Sequence, residues 1–181
     1  MSSRLWLRLF GNPQPVEIEI GPGRGDVLLA FAAARPDTNF FGIERVAPLA
    51  AGIEAIAAAR GLANLRVVAG DARCIVAHLI PDASVQAYHV YFPDPWPKTR
   101  HRARRLFHGD TLARGIVRTL VRGGMVHLAS DLPSLVSAMR AALEAQGLQP
   151  LPPAVPLGWP GSKYEQRYAR DGTYRATLRR D

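Results

Sequence analysis

The segment Gly21-Pro-Gly-Arg-Gly25, directly behind the alternating run Val16-Glu-Ile-Glu-Ile20, constrains this chain more than any other feature. An alternating apolar run reads as a strand, and three glycines at every second position permit a turn too tight for side chains. The Ala- and Leu-rich stretch 26–35, stopped by Pro36, reads as a helix, so the chain opens as strand, tight turn, helix. The alternation then repeats. Asn39–Ile43, Leu65–Ala69, Val85–Phe92 and Met125–Ala129 are predicted strands, while Ala47–Arg60, Thr111–Val121 and Leu132–Gln146 are predicted helices. This spacing predicts an α/β fold with a mostly parallel sheet covered on both faces. Prolines 150, 152, 153, 156 and 160 predict an irregular connection. Tyr164–Ala169 and Thr173–Arg179 then flank Asp171-Gly172, which predicts a C-terminal antiparallel hairpin closing the sheet.

Length and composition set the outer bounds. With 181 residues, 48% of them apolar, residues 1–181 are expected to form one domain, with 1–15 as a short lead into the first strand. No apolar run approaches the roughly 18 residues needed to cross a bilayer, and Arg4-Leu-Trp-Leu-Arg8-Leu-Phe10 is too short and too basic for a secretory leader, so a cytoplasmic protein is expected. One cysteine, Cys74, excludes an intrachain disulfide, and no Cys or His pair stands at ligand spacing, so no metal is expected.

Charge is unevenly spread. Residues 98–122 carry eight basic residues against Asp110 alone, close to the whole net charge of +8. Within them, Lys98, Arg100, Arg102, Arg104 and Arg105 with His101 form an acid-free run. A polyanionic partner follows from such a field, with 163–180 as a second basic segment; a solvated arginine-rich face is the plainer reading.

Ligands of open parallel sheets bind beyond the C-terminal ends of the strands, so the residues there are read as one site. Gly21, Gly23 and Gly25 allow a ligand close to the backbone, and Glu44 lies where a carboxylate can accept both hydroxyls of a ribose. The spacing G-x-G-x-G, with no Gly-Lys-Ser/Thr behind it, excludes a nucleoside-triphosphate loop and disfavours a dinucleotide. Asp71, followed by Ala72, has two readings: a helix N-cap, or an acceptor for the exocyclic amine of adenine, a contact useful to S-adenosylmethionine. Glu19 either bonds the backbone of the glycine turn or faces the cationic end of that cofactor. In Phe92-Pro-Asp94-Pro-Trp96-Pro-Lys98, three prolines stiffen a carboxylate and a flat aromatic face. Trp96 can stack on a purine, and Asp94 can accept the N1 and N2 donors of guanine.

Together these motifs resemble the bacterial tRNA (guanine-N(7)-)-methyltransferases of the TrmB type. The family's Glu-Ile-Gly-x-Gly-x-Gly, Gly-Ile-Glu, Asp-Ala and Phe-x-Asp-Pro-Trp-x-Lys-x-Arg-His patterns are met by Glu19 to Gly25, Gly42 to Glu44, Asp71-Ala72 and Phe92 to Arg105. Its Thr-Asp and Thr-Lys-Phe-Glu appear as Ser130-Asp131 and Ser162-Lys-Tyr-Glu165. The resemblance implies a Rossmann-like class I S-adenosylmethionine-dependent methyltransferase fold, with S-adenosylhomocysteine as product. It implies transfer of methyl to N7 of a guanosine in the tRNA variable loop, by a monomer or homodimer. By it, Glu19, Glu44, Asp71 and Asp94 face the cofactor and reaction centre, with Asp94 as the catalytic carboxylate. Trp96, Lys98, Asp131, Ser162, Lys163, Tyr164 and Glu165 contact the substrate base, and Arg100, His101, Arg102, Arg104 and Arg105 contact RNA. The chain departs from the pattern at Pro22, Ala103, Leu132 and Leu135 and in its short lead. Three other readings share parts of it: a nicotinamide oxidoreductase, a methyltransferase with another substrate, and a non-catalytic RNA-binding protein on the same fold.

Overall fold

The computed structural model describes residues 4–95, 100, 105–160 and 172–181. Its elements run α1 (Arg4–Phe10), β1 (Val16–Ile20), α2 (Asp26–Ala34), β2 (Asn39–Glu44), α3 (Ala47–Ala59), β3 (Leu65–Ala69), α4 (Ala72–His78), β4 (Val85–Tyr91), α5 (Thr111–Thr119), β5 (Leu120–Ser130), α6 (Pro133–Glu144), β6 (Gln149–Leu151) and β7 (Tyr174–Arg179). The strands form one sheet in the order β3-β2-β1-β4-β5-β7-β6. The first five are parallel, and β7 runs antiparallel between β5 and β6. The strand order reverses between β1 and β4, so the ends of those strands open a crevice.

Helices cover both faces, as the alternation predicted. Ile18, Tyr88, Val126 and Leu178 point to the side of α1, α4, α5 and α6. Phe40, Leu65 and Ala129 point to the side of α2 and α3. One consequence differs from the look of the sequence: Val16-Glu-Ile-Glu-Ile20 alternates like a half-exposed strand, yet all five residues are buried. A strand inside a doubly covered sheet has no solvent face. Glu17 therefore needs partners, and finds them in Arg35 and His89 at 2.8 Å each.

The antiparallel closure is present, and among the described residues the partners of β7 are β5 and β6. Over Thr177–Arg179, β7 pairs with Gln149–Leu151, so Pro150 sits in an edge strand, where a missing donor is tolerated. The expected first hairpin arm, Tyr164–Ala169, and Asp171 lie outside the described residues. Helix α5 ends at Thr119, two residues before its predicted limit, and β5 begins at Leu120 rather than Met125. Helix α1 was not anticipated, and α4 only through the N-cap reading of Asp71, which does cap it. Both have seven residues, too few to display a helical period.

Candidate cofactor and substrate site

Beyond the ends of β1, β2, β3 and β4 lies a cavity of about 380 Å³, lined by Gly21, Gly23, Glu44, Asp71, Ala72 and Asp94 together with Arg45, Val46, Leu49, Arg73, Phe92 and Leu106. Six of the expected cofactor residues thus meet around one space. Gly21 and Gly23 hold φ of 70° and 58°, a left-handed conformation that side chains resist. Gly25 does not line the cavity; a Cβ there would come within 2.7 Å of Ile53, so its small size serves the packing of α2 on α3.

The two acidic roles read from the sequence are distributed differently in space. Glu44, not Glu19, ties down the glycine turn: its Oε2 accepts from the Gly23 amide at 3.0 Å and its Oε1 from the Val46 amide at 2.8 Å. Both oxygens keep a second lone pair, on a carboxylate already fixed in place. Glu19 is 3% exposed, and its Oε2 is buried without a hydrogen-bond partner. Burial first, then the charges of Asp26 and Glu44, push its carboxyl up to about 8. Such a group is stabilised by a cation. Of the three acids Glu44 lines the cavity, whereas Glu19 and Asp26 are outside its lining, which takes in Ile20 and Gly21 beside Glu19.

Asp71 is a helix N-cap, the first of its two readings. Its Oδ1 caps α4 by accepting from the Arg73 amide at 2.8 Å. The Arg73 guanidinium bonds the same carboxylate at 3.1 and 2.7 Å. Those hydrogen bonds hold the Asp71 carboxyl below its ordinary range, against a smaller opposing effect of burial. An adenine amine would share this carboxylate with Arg73, a neighbour that spacing alone did not flag.

Asp94 stands exposed at the rim of the cavity. The turn that presents it starts at Phe92, whose φ of 48° is unusual for an aromatic residue and costs on the order of 1–3 kcal/mol. A hydrogen bond from the Phe92 amide to the Ala129 carbonyl, 2.8 Å, holds that conformation. Asp131 follows β5 outside the cavity lining. It does not cap α6: the Leu132 amide donates to the Ser130 hydroxyl, and Asp131 accepts from Ser130 at 3.2 Å.

Trp96, Lys98, His101, Arg102, Arg104, Ser162, Lys163, Tyr164 and Glu165 lie outside the described residues. The flanks of the basic run are informative nonetheless. Asp94 before it and Leu106 after it line the same cavity, and Arg100 and Arg105 are exposed. Other arginines counted in the basic field are structural. Arg118 donates to the carbonyls of Val76, Ala77 and Ile80 at 2.8, 3.1 and 3.0 Å and pairs with Asp82. Arg180 bonds the carbonyls of Arg118 and Leu120. Because β7 is antiparallel to β5, Arg179 pairs with Met125 at the sheet end opposite Asp131. The tail of the second basic segment therefore sits away from the cavity.

Among the described residues, no helix is long and apolar enough to cross a membrane, and no group of three or more His, Cys, Asp or Glu is placed to hold a metal.

Comparison with known proteins adds an independent line. The model of a family described as "Putative methyltransferase" matches residues 13–174. The chain is 37% identical over 174 residues to a tRNA (guanine-N(7)-)-methyltransferase of Sodalis glossinidius, covering 91% of this chain and 71% of that protein. It is 37% identical to the like-named protein of Hydrogenovibrio crunogenus, over 91% and 70% of the two chains. With that of Aliivibrio fischeri it shares 39% over 76% of this chain and 59% of the relative. Among solved structures, the 16S rRNA methyltransferase KamB superposes with a TM-score of 0.72 at 18% identity, covering 100% of this chain and 95% of KamB. The aminoglycoside resistance methyltransferase NpmB1 gives 0.68 at 18%, over the same shares. At that identity the likeness speaks for the fold alone: a Rossmann-like class I methyltransferase sheet.

Proposed function

This chain belongs to the tRNA (guanine-N(7)-)-methyltransferase family, and from that premise we propose that the cavity at the ends of β1 to β4 holds S-adenosylmethionine while the Asp94 turn receives a guanosine of the tRNA variable loop. The enzyme transfers a methyl group from S-adenosylmethionine to N7 of guanine in tRNA. The observation that carries the site assignment is the convergence of Gly21, Gly23, Glu44, Asp71 and Asp94 on one cavity.

When bound, S-adenosylmethionine supplies an electrophilic methyl on a cationic sulfur. Glu44 accepts the ribose hydroxyls, Asp71 the adenine amine, and buried Glu19, outside the cavity lining, compensates positive charge at longer range. Guanine N7 presents a lone pair without a proton at neutral pH, so no side chain has to act as a base there. The chain's task is positioning and electrostatics. Asp94, held by the Phe92 turn, accepts from the guanine edge and favours the positive charge that develops on the ring. Trp96 stacks on the base, and Lys98, Asp131 and Ser162 to Glu165 complete its contacts. Arg100, His101, Arg102, Arg104 and Arg105 grip phosphates beside the cavity mouth, a site suited to cytoplasmic tRNA.

The test is to incubate the protein with labelled S-adenosylmethionine and unmodified tRNA, then to cleave with borohydride and aniline. Strand scission at one variable-loop guanosine is the expected result. Label incorporated elsewhere would overturn the positional assignment, and cofactor binding without incorporation would favour a silent RNA-binding role.

A further inference from the structure

A tryptophan outside the cofactor cavity joins the end of β4 to the segment that follows β6. The segment after β6 is pinned to β7 by a hydrogen bond from the Ala154 amide to Thr177 Oγ1, 3.0 Å. It then reaches α2, where Gly158 passes so close that a Cβ would lie 3.1 Å from that of Ala34. Here Trp159 sets its ring edge-on to Tyr91, centroids 4.6 Å apart, and 6.2 Å from Phe31. The Arg175 guanidinium lies 4.7 Å over the same indole. The contact therefore ties β4, β7 and α2 to a segment with no regular structure of its own.

Its partner Tyr91 is itself held firmly. The Tyr91 hydroxyl meets His89 Nδ1 at 2.7 Å, His89 Nε2 meets Glu17 Oε2 at 2.8 Å, and Glu17 is clasped by both terminal nitrogens of Arg35 at 2.8 and 2.9 Å. Tyr91 lies three residues before Asp94, and Trp159 three residues before Ser162. The ring pair thus stands at the root of both substrate-bearing segments.

We propose that Trp159 is a positioning residue for the methyl-transfer reaction, anchoring the segment that carries Ser162 to Glu165 against the strand that carries Asp94. The inference rests on the reading of Ser162 to Glu165 as substrate contacts. It assigns Trp159 no contact with cofactor or guanine; it acts through the residues it places, with Arg175 fixing the indole by a cation–π contact. A rigid root lowers the ordering cost when the base docks.

The test uses the full chain with Trp159→Ala, Trp159→Leu, Trp159→Phe and Glu165→Gln, alone and as Trp159→Ala/Glu165→Gln. Melting temperature, S-adenosylmethionine Kd, and kcat and KM for tRNA are measured. Expected are a cofactor Kd within about twofold of wild type and a kcat/KM for tRNA at least about tenfold lower in the Ala and Leu variants. Trp159→Phe keeps an aromatic face for Arg175 and an edge for Tyr91, and recovers to within about threefold. The double variant loses scarcely more than the worse single one, because both changes remove the same contact. Should Trp159→Ala not fold, Trp159→Leu carries the test. Wild-type kcat/KM in a folded Ala or Leu variant overturns the proposal, as do fully multiplicative losses in the double variant or cofactor binding weakened as much as tRNA turnover. If Glu165→Gln is itself silent, the underlying reading of the motif fails with it; an impaired Glu165→Gln beside a silent Trp159→Leu removes the positioning role alone.

Discussion

The Gly23 amide donates to Glu44 Oε2 at 3.0 Å, so the turn after the first strand is held by the carboxylate at the end of the second. One side chain thus holds the glycine turn and lines the cavity, with a second lone pair left on each oxygen. Glu44→Ala is expected to weaken S-adenosylmethionine binding by roughly 1–3 kcal/mol. Glu44→Gln should be nearly as harmful, because an amide has one acceptor oxygen and would turn its NH₂ toward the Gly23 or Val46 amide. Calorimetry checks both, and a Gln variant with wild-type affinity would remove Glu44 from the binding role.

Glu19 makes cofactor affinity depend on pH. In the free protein its carboxyl is pushed up to about 8, mainly by burial, so near neutrality it is largely protonated. A bound cation favours the carboxylate, so binding releases a proton and tightens as pH rises through 8. The sign for the free fold is opposite: stability from the neutral form is present below the unfolded value of 4.5 and is lost as pH rises through 8. Glu19→Gln should abolish the proton release seen by calorimetry in buffers of different ionisation enthalpy.

Acid should unfold the protein through the Glu17 cluster. Burial alone would raise the Glu17 carboxyl, but the hydrogen bonds and charges of His89 and Arg35 bring it from 4.5 down to about 2. That pairing contributes about 3 kcal/mol above pH 4.5, lost as pH falls through 2. His127, lowered to about 3 by burial and then by the charge of His89, acts in the same direction: its contribution is full above 6.5 and lost as pH falls through 3. Between 6.5 and 4.5 the growing contribution of neutral Glu19 offsets the His127 loss, so melting temperature should fall on acidification below 4.5, and Glu17→Gln should lower it at neutral pH while flattening that fall.

Asp94→Asn keeps size and removes charge at the rim of the cavity. Cofactor affinity should change little, and single-turnover methylation should fall by about a hundredfold or more, since the charge acts only as the purine becomes positive. Turnover near wild type would show that Asp94 is not the electrostatic partner.

The arginines divide into two classes that salt dependence separates. Replacing Arg102, Arg104 and Arg105 by Ala should flatten the slope of log K against log salt for tRNA binding by about 2–3 units, leaving cofactor affinity intact. Arg118→Ala should leave the slope within about one unit and lower stability by roughly 1–3 kcal/mol, because the carbonyls of Val76, Ala77 and Ile80 lose their donor. The reverse pattern would place the RNA surface elsewhere.

The order of strands and helices was legible from the chain because each is written within a short window: apolar period, glycine turns and proline stops act on neighbouring residues. The same locality made the carboxylates at strand ends and the basic run readable, since a doubly wound sheet brings its strand ends together whatever the details. Closure by Gln149–Leu151 was not legible, as three residues containing Pro150 carry no strand signal and pair only because β7 offers an open edge. Nor was the burial of Glu17, whose partner His89 stands 72 residues away. Trp159 and Tyr91 are also far apart along the chain, and only the crossing of one segment over the sheet makes them touch. Residue types and their spacing determined which chemistry this chain can perform. Tertiary structure decided which carboxylate holds the turn, which is buried with one oxygen lacking a hydrogen bond, and which arginines bond backbone carbonyls, because burial and long-range pairing are properties of the packed sheet and not of any window of sequence.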